Sequence, residues 1–392
     1  MNDLPDNLRS MDAKPINLGI MMNKIGRREA LKITGKAMII GCLPPFSWQA
    51  GERMIRLSEV RQKVNDHFRA LLPEGKPYGS YQTGMSSEAD LYASCDVAIA
   101  RHIMGEALTV TLSPEQREEW IHYINTFQQP EDGSYTNRLK NHSKLHANGM
   151  TIGALGVLHG KQKYRVRLYE EFNTSEKVIP WLDRIDWANQ WGASHNFWGG
   201  IHCYSLSREC SEDWLSTVFD WLDSNLDPST GWWRRGVEHT DRHQALGGSV
   251  HILPVYQHHD RAFPLPQRVI DSVLALQLPN GTWQARNKDQ INIMNYLELD
   301  ALYALRFMLE LAPGYRIRDI EKAVGLYADL VCKYWNHPEE PWKTQHPHLI
   351  LAIVGIFGLL QKFLPDRFTD TIEWSDIFSD IKLYNTAAVE AS

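Results

Sequence analysis

Apolar positions along the chain fall into two alternating patterns. Stretches with apolar residues at helical spacing on one face and charge on the other cover residues 114–128, 211–225, 265–277 and 316–335. The first is preceded by Ser113 and carries Glu118 and Glu119 near its start, the second opens Ser-Glu-Asp, and both read as capped helix starts. Less charged segments, richer in Gly and Ala and apolar on more than one face, cover 90–105, 146–160, 195–206, 243–256, 295–311 and 346–364. The last contains LILAIVGIFGLL, which predicts complete burial but is too short to span a bilayer. Their first residues, Asp90, His146, His195, His243, Asn295 and His346, recur about every fifty residues, a period typical of repeated supersecondary units.

The amphipathic segments end in one grammar. Residues 124–135 read INTFQQPEDGSY, 222–233 read LDSNLDPSTGWW and 273–283 read VLALQLPNGTW. Pro130, Pro228 and Pro279 stop helix propagation, and Gly133, Gly231 and Gly281 suit a left-handed turn. The aromatic two positions later is placed to pack back on the helix that has just ended. Polar outer helices therefore alternate with buried inner helices, six times. The prediction is an all-α chain in which six helical hairpins close into an (α/α)6 toroid, residues 52–392, as a single domain behind a leader, 1–51. An open solenoid is the rival arrangement, and it needs polar caps at its ends. The inner segment 346–364 has none, although the tail 365–384 is placed to cover it.

Composition narrows the function. The chain has 392 residues and a net charge of -6, which argues against a nucleic-acid groove, and no apolar run reaches transmembrane length. Five cysteines are too few for a disulfide scaffold. The unusual counts are 14 Trp, 15 Tyr and 16 His, and the turns absorb part of the Trp.

The leader carries Arg27-Arg28, then Leu31-Lys32, then a weakly apolar stretch before Pro44-Pro45. It resembles a twin-arginine export signal, although Ala30 replaces the usual aromatic and Lys36 interrupts the apolar stretch. Ile40-Gly41-Cys42 is loosely lipobox-like. The resemblance implies a periplasmic or membrane-anchored protein, and without it a cytoplasmic location is expected.

The pattern apolar-x3-Gln followed by Gly-x-aromatic, at Ile124-Gln128-Gly133-Tyr135 and Val273-Gln277-Gly281-Trp283, resembles the QW motif of the terpenoid cyclase and protein prenyltransferase superfamily. At Leu222-Leu226-Gly231-Trp233 the Gln is lost. The resemblance implies the toroid and not an activity. The DxDD-type acid of the cyclases is missing, with Glu298-Leu299-Asp300 the nearest candidate, and the zinc set of the prenyltransferases finds no counterpart. Polysaccharide lyases and unsaturated-glycan hydrolases are similar in architecture alone.

In a closed ring the starts of the inner helices converge on one rim. His195 and His243 are the expected acid/base residues there, with Tyr296 as partner and Asp300 as a carboxylate. Lys144, His146, Trp198, Arg242, Asn295, Glu298 and His346 are expected to bind substrate, the cations and helix N-termini favouring an anionic ligand. No cofactor is expected. Metal spacings such as HExxH or paired CxxC are absent, which leaves zinc a minor alternative. The function expected is a lyase or hydrolase acting on an anionic glycan. A terpenoid cyclase-like or prenyl-binding protein and a non-catalytic ligand-binding toroid stand as rivals. The partner expected is a small molecule or oligosaccharide, not a nucleic acid.

Overall fold

The computed structural model describes residues 54–85, 87–136, 142–233, 242–284 and 292–384, with backbone alone at Arg242 and His243. All lie within one unit, Phe46–Ser392. The arginine pair and Cys42 of the leader fall outside the described residues, as does Asp241. The principal helices are α1 Leu57–Ala70, α2 Leu91–Ile103, α3 Pro114–Asn125, α4 Lys144–Val157, α5 Ser175–Asp183, α6 Gln190–Asn196, α7 Glu212–Ser224, α8 Arg242–Ser249, α9 Leu253–His258, α10 Pro266–Leu276, α11 Tyr296–Leu311, α12 Ile317–Trp335 and α13 Pro347–Phe363. The described residues are mostly helical, with one parallel two-residue strand pairing among them, β1 Ile55–Arg56 with β2 Phe368–Thr369. Among the described residues, no helix is long and apolar enough to cross a membrane.

Local chemistry sets the helix starts. Ser113 accepts from the Gln116 N–H at 3.2 Å while the Gln116 side chain accepts from the Ser113 N–H at 3.1 Å, a reciprocal cap for α3. Ser211 caps α7, which turns Trp214, Val218, Phe219, Trp221 and Leu222 inward. The apolar helices behave differently, for α2, α4, α11 and α13 bury most of their residues on every face. Each is surrounded: α2 packs on α4 and α13, α4 on α6, α6 on α8, α8 on α11, and α11 on α13.

Two inner helices depart from the expected boundaries. The third begins at Gln190, not His195, because Asp186 caps a 3-10 turn, Trp187–Asn189, that leads straight into α6. His195 therefore stands in the second turn of α6, which continues through a π-helical turn, Phe197–His202. The fourth is split into α8 and α9. Pro254 has no N–H and its ring collides with a carbonyl four residues back, so the helix breaks before it and leaves His251 at the break.

The turns after α3 and α10 stitch neighbouring hairpins together. Gln128 donates to the Gly133 carbonyl at 2.9 Å and the Tyr164 carbonyl at 2.8 Å, and accepts from the Tyr164 N–H at 2.8 Å. Gln277 donates to the carbonyls of Gly281 and, in α12, Ala323. Trp233 and Trp283 return their indole N–H groups to the Leu222 and Val273 carbonyls of the helices just ended.

The segment after α13 crosses the C-terminal ends of the inner helices. The Ser375 N–H bonds to the Ile103 carbonyl, Asp376 pairs with Lys362, Asp380 with His102, and Leu383 and Tyr384 lie buried against α4. A Cβ at Gly358 would stand 2.0 Å from the Ser375 carbonyl oxygen, so α13 admits this strap only because it carries no side chain there.

Candidate functional site

At the N-terminal ends of α2, α4, α6 and α13 the fold gathers imidazoles. His142 precedes α4, His146 lies in its first turn, His195 comes from α6, and His346 and His348 from the start of α13. The ring centroids of His142 lie 4.3 Å from His146, 5.0 Å from His195 and 5.1 Å from His348, and His146 and His195 are 4.6 Å apart. His251, from the α8–α9 break, extends the row at 4.9 Å from His195. His142, His195, His346 and His348 are half-buried, while His146 is buried.

One face of α2 supplies the partners. Tyr92 and Asp96, four residues apart, project from the same side. Tyr92 Oη lies 2.7 Å from His146 Nδ1, and Asp96 Oδ1 lies 2.9 Å from His348 Nδ1. Tyr296, at the start of α11, packs its ring 4.8 Å from that of His348 and donates to the His348 carbonyl at 2.7 Å; its Oη is 3.3 Å from His348 Nδ1. His346 caps α13, its Nδ1 accepting from the His348 N–H at 3.0 Å.

Burial dominates the electrostatics. It lowers His142 and His348 to about 4 and holds His146 well below 6.5, the neighbouring imidazoles adding to the shift at His142 and His146. It raises Asp96 well above the ordinary carboxylate range, against the pull of His346, and keeps the Tyr92 and Tyr296 phenols protonated. Burial thus disfavours charge on both Asp96 and His348, which lie within hydrogen-bond distance. When Asp96 is ionised it accepts from Nδ1–H and leaves Nε2 to act as the base, the arrangement by which buried carboxylates orient catalytic histidines.

The other expected site residues are distributed as follows. Trp198, in the π-helical turn, sits beneath His146 with ring centroids 5.2 Å apart and donates its indole N–H to Tyr384 of the strap. Asp300 lies one helical turn from Tyr296, buried, and its Oδ2 has no hydrogen-bond partner among the described residues. Burial, reinforced by Glu298, holds its carboxyl well above 3.8. Glu298 diverges from it and accepts from the Gln284 N–H. Asn295 caps α11 through the Leu297 N–H and bonds Gln284. Lys144 pairs with an acid of the preceding turn. Its side chain is 62% exposed and its ammonium lies 2.8 Å from Asp132, at the turn after α3. The side chains of Arg242 and His243 lie outside the described residues. The inner-helix starts are also less open to an anion than expected, since Asp90, Ser143, Asn295 and His346 each cap one by side chain.

Sequence reasoning did not select Tyr92, Asp96, His142 or His251 as site residues, although it placed His348 beside His346 at the rim. A signal for Asp96 existed: an acid within LYASCDVAIA, on a helix apolar all round, is a buried charge that needs a partner.

A second aromatic and imidazole group marks the opposite end. His202 Nε2 lies 3.0 Å from His258 Nδ1, and both rings pack on Tyr384. A cavity of about 620 Å³ opens there between the ends of α2 and α4 and the strap, lined by His102, Glu106, His159, Lys382 and Tyr384 among others. It is separate from the gathered imidazoles at the N-terminal ends, where the paired donors and acceptors sit.

Compared with models of protein families, with curated proteins and with solved structures, the chain matches none.

Proposed function

We propose that the chain closes as an (α/α)6 toroid and works as an acid/base enzyme, a lyase or hydrolase of an anionic glycan. Packing of α13 on α2 and the pairing of Ile55 with Phe368 support closure. One observation carries the chemistry: the Asp96–His348–Tyr296 chain of contacts, set beside Tyr92–His146 at one end of the inner helices. In an elimination, His348 Nε2 takes the proton α to the substrate carboxylate. The C–O bond to the leaving sugar breaks, and a tyrosine hydroxyl returns a proton to the departing oxygen. An ionised Asp96, accepting from Nδ1–H, fixes the tautomer of the first group. The arginine pair of the leader supports a location where such glycans are met.

The isoprenoid reading asks for an apolar chamber with a single acid, and the imidazole row supports it less well. Incubation of the untagged protein with uronate-containing polysaccharides tests the proposal. The ultraviolet absorbance of an unsaturated uronate reads elimination, and new reducing ends read hydrolysis. Activity abolished by His348→Ala and Tyr296→Phe is the expected result. No turnover on any polysaccharide, or full activity in both variants, overturns it.

A further inference from the structure

The geometry points to a divalent transition-metal site, most suited to zinc, formed by His142, His146 and His195. Each residue offers a ring nitrogen, and the three nitrogens all lie within 4.8 Å of one another. Three imidazoles on zinc at about 2.0–2.1 Å hold their nitrogens roughly 3.3 Å apart, so the set needs to close by at most about 1.5 Å. His142 stands on the segment entering α4, outside the helices that carry the other two.

Three further features support a metal over simple packing of rings. Tyr92 Oη occupies His146 Nδ1 at 2.7 Å, which fixes that ring and leaves Nε2 for the metal, as outer hydrogen bonds do for metal-binding histidines. His142 Nδ1 is buried with no hydrogen-bond partner among the described residues, a cost that a metal ion removes. The rings around the trio, His348 and His251, are imidazoles as well, so the centre is rich in neutral nitrogen donors. An all-imidazole set favours Zn²⁺, Cu²⁺ or Ni²⁺ over Mg²⁺ or Ca²⁺, and three protein ligands leave a fourth position for water or substrate.

This inference stands apart from the glycan reading, because metal binding is read directly and not through turnover. The test uses the full untagged chain, stripped with a chelator and titrated with ZnCl₂ by calorimetry, with Co²⁺ replacing zinc for a visible spectrum. Expected are one zinc per chain and intense d–d bands of a four-coordinate Co²⁺ site. His142→Ala and His195→Ala should each weaken zinc binding at least about 100-fold, and Tyr92→Phe about 10-fold. His259→Ala, at the opposite end, should leave it unchanged. Circular dichroism of each variant separates lost binding from lost folding. If His142→Ala does not fold, the Co²⁺ spectrum of the wild type decides. Failure of the wild type to bind one zinc, a six-coordinate Co²⁺ spectrum, or unaltered affinity in folded His142→Ala and His195→Ala overturns the site. Zinc bound with no activity on any glycan would leave the site standing and sink the function proposed above.

Discussion

Trp198 donates its indole N–H to the hydroxyl of Tyr384 at 2.7 Å, across 186 residues of chain. Both side chains are buried, and Tyr384 passes its own proton to the Ile377 carbonyl. The contact ties the underside of the imidazole cluster to the strap that crosses the far ends of the inner helices.

Tyr384→Phe is expected to destabilise the protein by about 1–3 kcal/mol, because it strands a buried indole N–H while changing little volume. Denaturant unfolding followed by tryptophan fluorescence measures it. Stability equal to the wild type would mean that the indole finds another acceptor.

Acid should loosen the strap over the same range in which it charges the other buried imidazoles. His258 is held at about 4 by burial, against its Ser379 carbonyl contact and the charges of Asp376 and Asp380. His202, His259 and Tyr384 face it from the remaining sides. Unfolded, its imidazole binds a proton near 6.5, so the stability it contributes is whole above 6.5 and is lost as pH falls toward 4. The full loss from this group is about 3 kcal/mol. Asp380 acts later. Burial works to raise its carboxyl, but the hydrogen bond and charge of His102 hold it at about 2, so its share is lost only below about 4. Unfolding free energies at pH 7.5, 5.5 and 4.5 test the order, and His258→Gln should flatten the first drop.

Gly133→Ala is expected to cost more than about 3 kcal/mol. The residue has φ +70°, and an added Cβ would stand 2.1 Å from the backbone oxygen of Arg165. Gly75 has a similar φ, +72°, with nothing within 4 Å, so Gly75→Ala should cost only about 1 kcal/mol. Thermal melts of the two variants side by side separate strain from collision; equal losses would refute the collision.

Lys144→Ala should leave turnover within about 2-fold of the wild type, because its ammonium already serves Asp132 at an exposed turn. His348→Ala should lower kcat by about 10²–10⁴-fold, the range of a lost acid/base group. Initial rates on whichever glycan is turned over compare them. A large loss in Lys144→Ala would show that the lysine leaves Asp132 to meet substrate.

The helices were legible because their pattern is local. Ser113 and Ser211 cap where the spacing placed caps, and Gly133, Gly231 and Gly281 take positive φ where the turns required it. His146 and His346 stand at inner-helix starts as their spacing suggested, whereas His195 lies in the second turn of α6. What the sequence hid is pairing across distance. Asp96 and His348 are 252 residues apart and meet only through packing of α2 on α13. His142 lies outside every periodic segment, so no pattern marks it. Lys144, at the first position of α4, pairs with Asp132 of the preceding turn, a contact that the helical spacing does not announce.

Ile55 and Phe368 become neighbours only when both have been synthesised. Until the ribosome has delivered residues 347–384, α2 has no α13 against its apolar face, and the ends of the inner helices have no strap. The growing chain is thus a row of hairpins with a sticky leading face, needing a chaperone or a fast finish.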